Sequence, residues 1–124
     1  MQFHKEEVWT DTEKQRRFDA ESGMTVVANM SKDIRLIQWA QSNKLFFRID
    51  RATTWGNPFE IPKDGNRDEV CDSYEVYYGL KKSFHKKIKN LRGKVLGCHC
   101  YPEKCHGDLL AFLANDLPSQ LSMF

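Results

Sequence analysis

Lys94-Val95-Leu96-Gly97-Cys98-His99-Cys100-Tyr101-Pro102-Glu103-Lys104-Cys105-His106-Gly107-Asp108, running on into Leu109-Leu110-Ala111-Phe112-Leu113-Ala114, is the stretch that decides the fold. Residues 94–98 are short and apolar, as a buried strand is, and residues 107–115 carry apolar helix formers. The segment therefore reads as strand, tight loop, helix start. A helix start presents free backbone N–H groups and a partial positive charge, which favour anions and lower a thiol pKa. Most of the cysteines and half of the histidines fall here, so the loop is either a small metal knot or the anion-facing edge of a site.

Outward from this segment the chain alternates strands with helices, which argues for an α/β layer fold. Met24–Ala28 reads as a first strand, and 31–43 as a helix capped by Ser31 with Ile34, Ile37 and Trp39 inward. Leu45–Ile49 reads as a second strand, 51–67 as a loop, and 67–89 as a helix interrupted near Gly79. Residues 1–22 are charge-dense and read as a polar arm or helix outside the core, anchored by Val8, Trp9 and Phe18. The domain proper is 23–117, and 118–124 is a tail. The expectation is a compact single α/β domain with a parallel or mixed sheet flanked by helices.

With 124 residues, 40% hydrophobic and 29% charged, the chain can bury one ordinary core. A net charge of +2 lends little support to direct nucleic-acid binding. Apolar runs are too short for a membrane span, and the first residues lack a secretory signal, so a cytoplasmic location is expected. In a reducing compartment, clustered cysteines are metal-binding or reactive rather than disulfide-bonded.

Two further segments carry side chains suited to a ligand. In Arg51-Ala52-Thr53-Thr54-Trp55-Gly56-Asn57-Pro58-Phe59 the Gly and Asn-Pro turn the chain sharply. Trp55 and Phe59 offer stacking faces, Arg51 a planar cation and Asn57 an amide, a set that suits a nucleoside or nucleotide. The alternative is that both aromatics plug the core, with Arg51 in a structural ion pair. In 63–69, Asp64-Gly65 is a turn and Asn66 caps a helix opening at Arg67, whose cation either meets an anionic ligand or is incidental to the turn. The lysines of 81–89 read as a solvated helix face.

Three readings compete for the cysteine loop. Zinc would use Cys98, Cys100 and Cys105 with His99 or His106, but the spacing is unusual and adjacent Cys105 and His106 rarely hold one ion, so no tightly bound zinc is expected. A catalytic reading makes Cys105 the nucleophile and His106 the acid–base group, oriented by Asp108. A packing reading makes Cys98 and Cys100 small hydrophobes.

Trp55-Gly56-Asn57-Pro58-Phe59, Asp64-Gly65-x-Arg67-Asp68 and Cys98-x-Cys100-x-Pro102-x-x-Cys105-His106-Gly107-Asp108, in that order, resemble a small domain family of unknown function found mainly in bacteriophages and bacteria. The last motif is also similar to the Cys-His end of a broader uncharacterised α/β family. The chain differs in having Asp50-Arg51-Ala52 where the family usually has Gly-Arg-Gly, and in the helical stretch 31–43. The resemblance implies an α/β domain whose three motifs meet in one pocket, and it names no cofactor. The expected ligand is a nucleotide, nucleoside or related phosphorylated small molecule. It would be held by Arg51, Asn57, Phe59, Arg67, Cys100 and the Gly107 amides, with Trp55 stacking and His106, Asp108 and Cys105 doing any chemistry. A nucleotide-modifying transferase or hydrolase, a sequestering nucleotide-binding protein and a zinc-stabilised interaction module are the function classes left open.

Overall fold

Val95–Cys98 forms strand β3, and all four of its residues are buried, as a strand covered on both faces must be. In the computed structural model, which describes residues 8–116, β3 is flanked by β1 (Val26–Asn29) and β2 (Phe46–Arg48). The sheet is wholly parallel with order β1-β3-β2, Val95 lying opposite both Val26 and Phe46. Side chains alternate across it. Val26, Ala28 and Val95 join a core with Leu36, Ile37, Ala40 and Ala20. Val27, Leu96 and Cys98 join a larger one with Tyr74, Phe84, Leu91 and Leu110. The result is a three-layer α/β domain. Helices α1 (Asp11–Glu21) and α2 (Ile34–Ser42) cover one face, and α3 (Arg67–Leu80), α4 (Lys82–Lys87) and α5 (His106–Asp116) the other.

Several boundaries differ from the sequence expectation, each for a local reason. β1 starts at Val26 because the Thr25 amide donates to the Asn115 side chain instead of to a strand. α2 starts at Ile34, with Asp33 rather than Ser31 at its N-cap, because the amides of Ser31 and Lys32 donate to Asn29 Oδ1 and close a turn there. Leu36, Ile37 and Ala40 face inward, while Ile34 is exposed and Trp39 half-buried. The helix expected over 67–89 breaks at Lys81 and ends in a 3-10 turn, Ile88–Leu91. A straight helix of that span would run about 35 Å, far beyond a four-residue strand. The break turns Phe84 and Ile88 back into the core.

The largest correction concerns the N-terminal segment. Residues 1–7 and the expected tail lie outside the described residues; 11–21 form a helix, the second of the two alternatives, but it docks on the core instead of lying outside it. It is capped by Thr10 and Glu13 in a reciprocal box, and its anchors are polar. Glu13 Oε2 accepts from the Leu36 amide, and Arg16 is buried. The Arg16 guanidinium donates to Asp33 Oδ2 at 2.8 Å and to the Val27 carbonyl at 2.8 Å. It also stacks 4.1 Å from the centre of the Tyr101 ring, tying α1 to the cysteine loop. Of the expected anchors, Phe18 and Val8 are exposed, while Trp9 packs half-buried against the core.

Removing one partner of a buried ion pair strands the other. Asp33→Ala is therefore expected to lower unfolding stability in urea by about 3–5 kcal/mol. Glu21→Ala, which breaks only the exposed Arg17–Glu21 pair at 3.4 Å, changes it by less than about 0.5 kcal/mol.

Candidate functional site

α5 begins where β2 ends. His106, its first residue, directs Nε2 at the Ile49 carbonyl, 2.6 Å away, and rests its ring against Tyr74, 4.9 Å between centres. A carbonyl only accepts, so Nε2 carries the proton and the neutral ring keeps its lone pair on Nδ1. Nδ1 has no hydrogen-bond partner among the described residues, and His106 lines a cavity. Burial holds the imidazole below its ordinary pKa, and the Arg51 charge adds to this against the opposing Ile49 bond. Gly107 permits the close approach: a Cβ there would stand 2.9 Å from Ile49 Cδ1 and 3.3 Å from Cys105 Sγ.

The aromatic loop holds itself together with most of its own polar groups. Gly56 lies so close to the preceding turn that a Cβ would meet Arg51 Cα and the Asp50 carbonyl at 2.6 Å. Arg51 donates from Nε to the Asn57 carbonyl and from Nη2 to the Phe59 carbonyl, both at 2.9 Å, so it braces the loop without forming an ion pair. Asn57 is buried, donating to the Val70 carbonyl and accepting from the Phe59 amide. Its amide is therefore a strut between loop and α3, not a free reader of a ligand. Trp55 is a core residue. It is buried, stacks on Phe84 at 4.6 Å, and its carbonyl accepts from the Tyr74 hydroxyl at 2.7 Å. The stacking role expected for Trp55 is thereby excluded, and Phe59 is the half-buried aromatic left at the pocket.

The cysteine loop also departs from its expected roles. Cys98 Sγ and Cys105 Sγ lie 3.4 Å apart, both buried. The contact with Cys105, together with the amides of Cys100 and Tyr101, holds the Cys98 thiol below its ordinary range. The same interaction, with burial, pushes Cys105 above the ordinary thiol range. Of the two sulfurs, Cys98 rather than Cys105 is the one whose surroundings favour the thiolate. Asp108 does not orient His106. Its Oδ2 accepts from the Cys105 amide at 3.1 Å, capping α5 from the third helical position. Gly107 is buried in packing and does not line the pocket.

Arg51, Asn57, Phe59, Arg67, Cys100, Cys105 and His106 line one cavity of about 460 Å³ at the C-terminal ends of β2 and β3. The three motifs converge there, as expected; Trp55, Gly107 and Asp108 do not line it. Arg67 reaches across to the cysteine loop, donating from Nη1 to the Lys104 carbonyl at 3.0 Å. Sequence reading missed Arg48, Asp50 and Lys104, and took His99 only as a zinc ligand. Asp50 accepts from Arg48 Nε at 2.7 Å and faces His99 Nε2 at 3.0 Å, and the Arg48 guanidinium holds its carboxyl below the usual range. The available signal was topological for three of them, since Arg48 ends β2, Asp50 lies two residues beyond it and His99 directly follows β3; Lys104, on the loop before α5, carried none. Among the described residues no group of three or more His, Cys, Asp or Glu is arranged to hold a metal ion. No helix of the described residues is long and apolar enough to cross a membrane.

The depressed His106 pKa has a sign. Between the folded pKa and about 6.5 the unfolded chain binds more protons at this site, so stability falls as pH drops through that window. The thermal midpoint is expected to decline from pH 7.5 to 5. In His106→Gln, whose amide can still donate to Ile49, that part of the decline should vanish.

A family model described as a domain of unknown function, DUF4326, matches residues 34–116. The chain is 38% identical over 80 residues to the "Uncharacterized 12.4 kDa protein in nrdA-td intergenic region" of Enterobacteria phage T4, covering 56% of this chain and 67% of that protein. It is 36% identical over 64 residues to the "Uncharacterized protein R718" of Acanthamoeba polyphaga mimivirus, covering 45% of this chain and 48% of that protein. No solved structure matches it. The model's span runs from the start of α2 to the end of α5 and takes in every residue lining the cavity, and the chain belongs to the DUF4326 family of domains of unknown function.

Proposed function

We propose that the cavity binds a nucleotide, nucleoside or related phosphorylated small molecule. The observation that carries this reading is the charge of the lining. Arg48, Arg51, Arg67 and Lys104 stand against Asp50 and Glu60, around an apolar floor at the strand C-terminal ends. Open parallel sheets take ligands at that edge, and about 460 Å³ lies within the usual range of small-molecule sites. Arg51 and Arg67 each use only part of a guanidinium to brace the walls, which leaves N–H donors in a planar fork suited to phosphate. Phe59 offers the stacking surface.

The same cavity holds groups able to act on such a ligand. His106 presents Nδ1 as a proton acceptor, and Cys98 replaces Cys105 as the nucleophilic sulfur. This fits a nucleotide-modifying transferase or hydrolase, and a role in phage nucleotide or base modification is consistent with the phage relative. A purely sequestering protein would use the cations alone. Either form belongs in a reducing cytoplasm, the host's where the chain is phage-encoded, since the cysteines are unpaired.

Calorimetric titration with nucleoside monophosphates, nucleosides and inorganic phosphate tests the reading. A phosphorylated ligand should bind, and binding should weaken as salt rises. Arg67→Gln should weaken it about tenfold, roughly 1.4 kcal/mol, with the thermal midpoint little changed. Absence of heat with every ligand, or unchanged affinity in Arg67→Gln, contradicts it.

A further inference from the structure

The floor of the cavity contains two sulfurs in contact. Cys98 ends the central strand and Cys105 precedes α5, and the six-residue loop between them folds back so that Sγ approaches Sγ at 3.4 Å. A disulfide needs about 2.05 Å, so closure requires a small movement of the two side chains. Both residues line the cavity yet are almost wholly covered, with 2% and 6% of their surface exposed. Access is therefore limited to a small reagent at the cavity floor; a folded protein partner does not reach them.

We propose that Cys98 and Cys105 form an oxidisable dithiol, in which Cys98 reacts with a small hydroperoxide and Cys105 resolves the product to an intramolecular disulfide. The Cys98 thiolate attacks the terminal oxygen of the hydroperoxide, the O–O bond breaks, and the leaving alkoxide or hydroxide takes a proton from water. Cys98 is now a sulfenic acid. The Cys105 sulfur attacks it, the S–O bond breaks, and the Cys105 proton leaves with the hydroxyl as water. Two electrons pass from the sulfur pair to the peroxide, which becomes an alcohol or water.

The division of roles follows from the surroundings. The contact with Cys105 and the amides of Cys100 and Tyr101 stabilise negative charge on Cys98, whose thiol is held below its ordinary range. Cys105 has the Asp108 carboxylate bound to its own amide and shares the proton with Cys98, so it waits as the thiol. Cys71 also lines the cavity, but burial pushes its thiol up and no sulfur contact joins it to the pair. This inference does not depend on what the cavity binds.

The test is treatment of the reduced protein with hydrogen peroxide, read by intact mass and peptide mapping. The expected product is lighter by about 2 Da, maps to a bond between Cys98 and Cys105, and returns to the dithiol with dithiothreitol. Its formation should persist below the titration of an ordinary thiol at about 8.5, because the Cys98 thiol is held down. Cys105→Ser should stop at a sulfenic acid on Cys98, heavier by about 16 Da and trapped by dimedone. Should that variant fail to fold, the map of the wild-type product decides alone. First oxidation at Cys71 or Cys100, direct passage of Cys98 to sulfinic acid without a disulfide, or no reaction under conditions that oxidise a free thiol would each overturn the proposal.

Discussion

The hydrogen bond from His106 Nε2 to the Ile49 carbonyl is the tie on which the cavity depends. It draws the first turn of α5 down onto the end of β2, at 2.6 Å. Gly107 permits that approach by presenting no side chain to Ile49. Tyr74 lies against the other side of the imidazole and passes the constraint on, its hydroxyl holding the Trp55 carbonyl. Asn57 and Arg67 complete the enclosure by fastening the aromatic loop to α3, and α3 to the cysteine loop. Segments far apart in sequence are thus joined by a few polar contacts; the Arg67 bond lies at the surface, whereas those of His106, Tyr74 and Asn57 are buried. Leaving one partner of such a contact unmatched costs about 1–3 kcal/mol.

This arrangement explains why the two ends of the site differ in chemistry. The floor is formed by α5 and β3 and is apolar, holding sulfur and a neutral imidazole. The rim is formed by the end of β2, the loops after β2 and β3 and the start of α3, and carries the arginines, Lys104, Asp50 and His99. Charges at the solvent-facing rim are screened, whereas a charge on the floor, such as one on Cys98, interacts more strongly in a lower dielectric. The opposite face of the sheet contributes at a distance. Arg16 lies under Tyr101, and Asn29 Nδ2 donates to the Tyr101 carbonyl at 2.8 Å, so α1 and β1 fix the loop that carries the sulfurs.

Much of this was legible in the sequence where local rules suffice. The Asn66 cap with Glu69, the buried strand before the cysteines, and the helix after them follow from short patterns. Convergence of the three motifs followed from each lying at a strand end or helix start. What was not legible depends on direction in space. Trp55 and Phe59 are four residues apart and equally suited to stacking, yet the turn at Gly56 sends one into the core and leaves the other at the cavity. Helix α1 has almost no apolar stripe, and periodicity cannot reveal a helix docked by Arg16 and Glu13. The pairing of Cys98 with Cys105 needs a distance. The cap formed by Asp108 was readable, because an acid three residues after the N-cap has that spacing, but its nearness to His106 invited the catalytic reading.

The central claim is that the converged motifs form an anion-binding cavity, and amide chemical shifts test it most directly. In a titration of isotopically labelled protein with a nucleoside monophosphate, the account predicts the largest shifts at Arg51, Phe59, Arg67, Cys100 and Lys104, with saturation. Shifts confined to the lysine-rich stretch of 81–89, or none at a ligand concentration that saturates ordinary nucleotide sites, would contradict it.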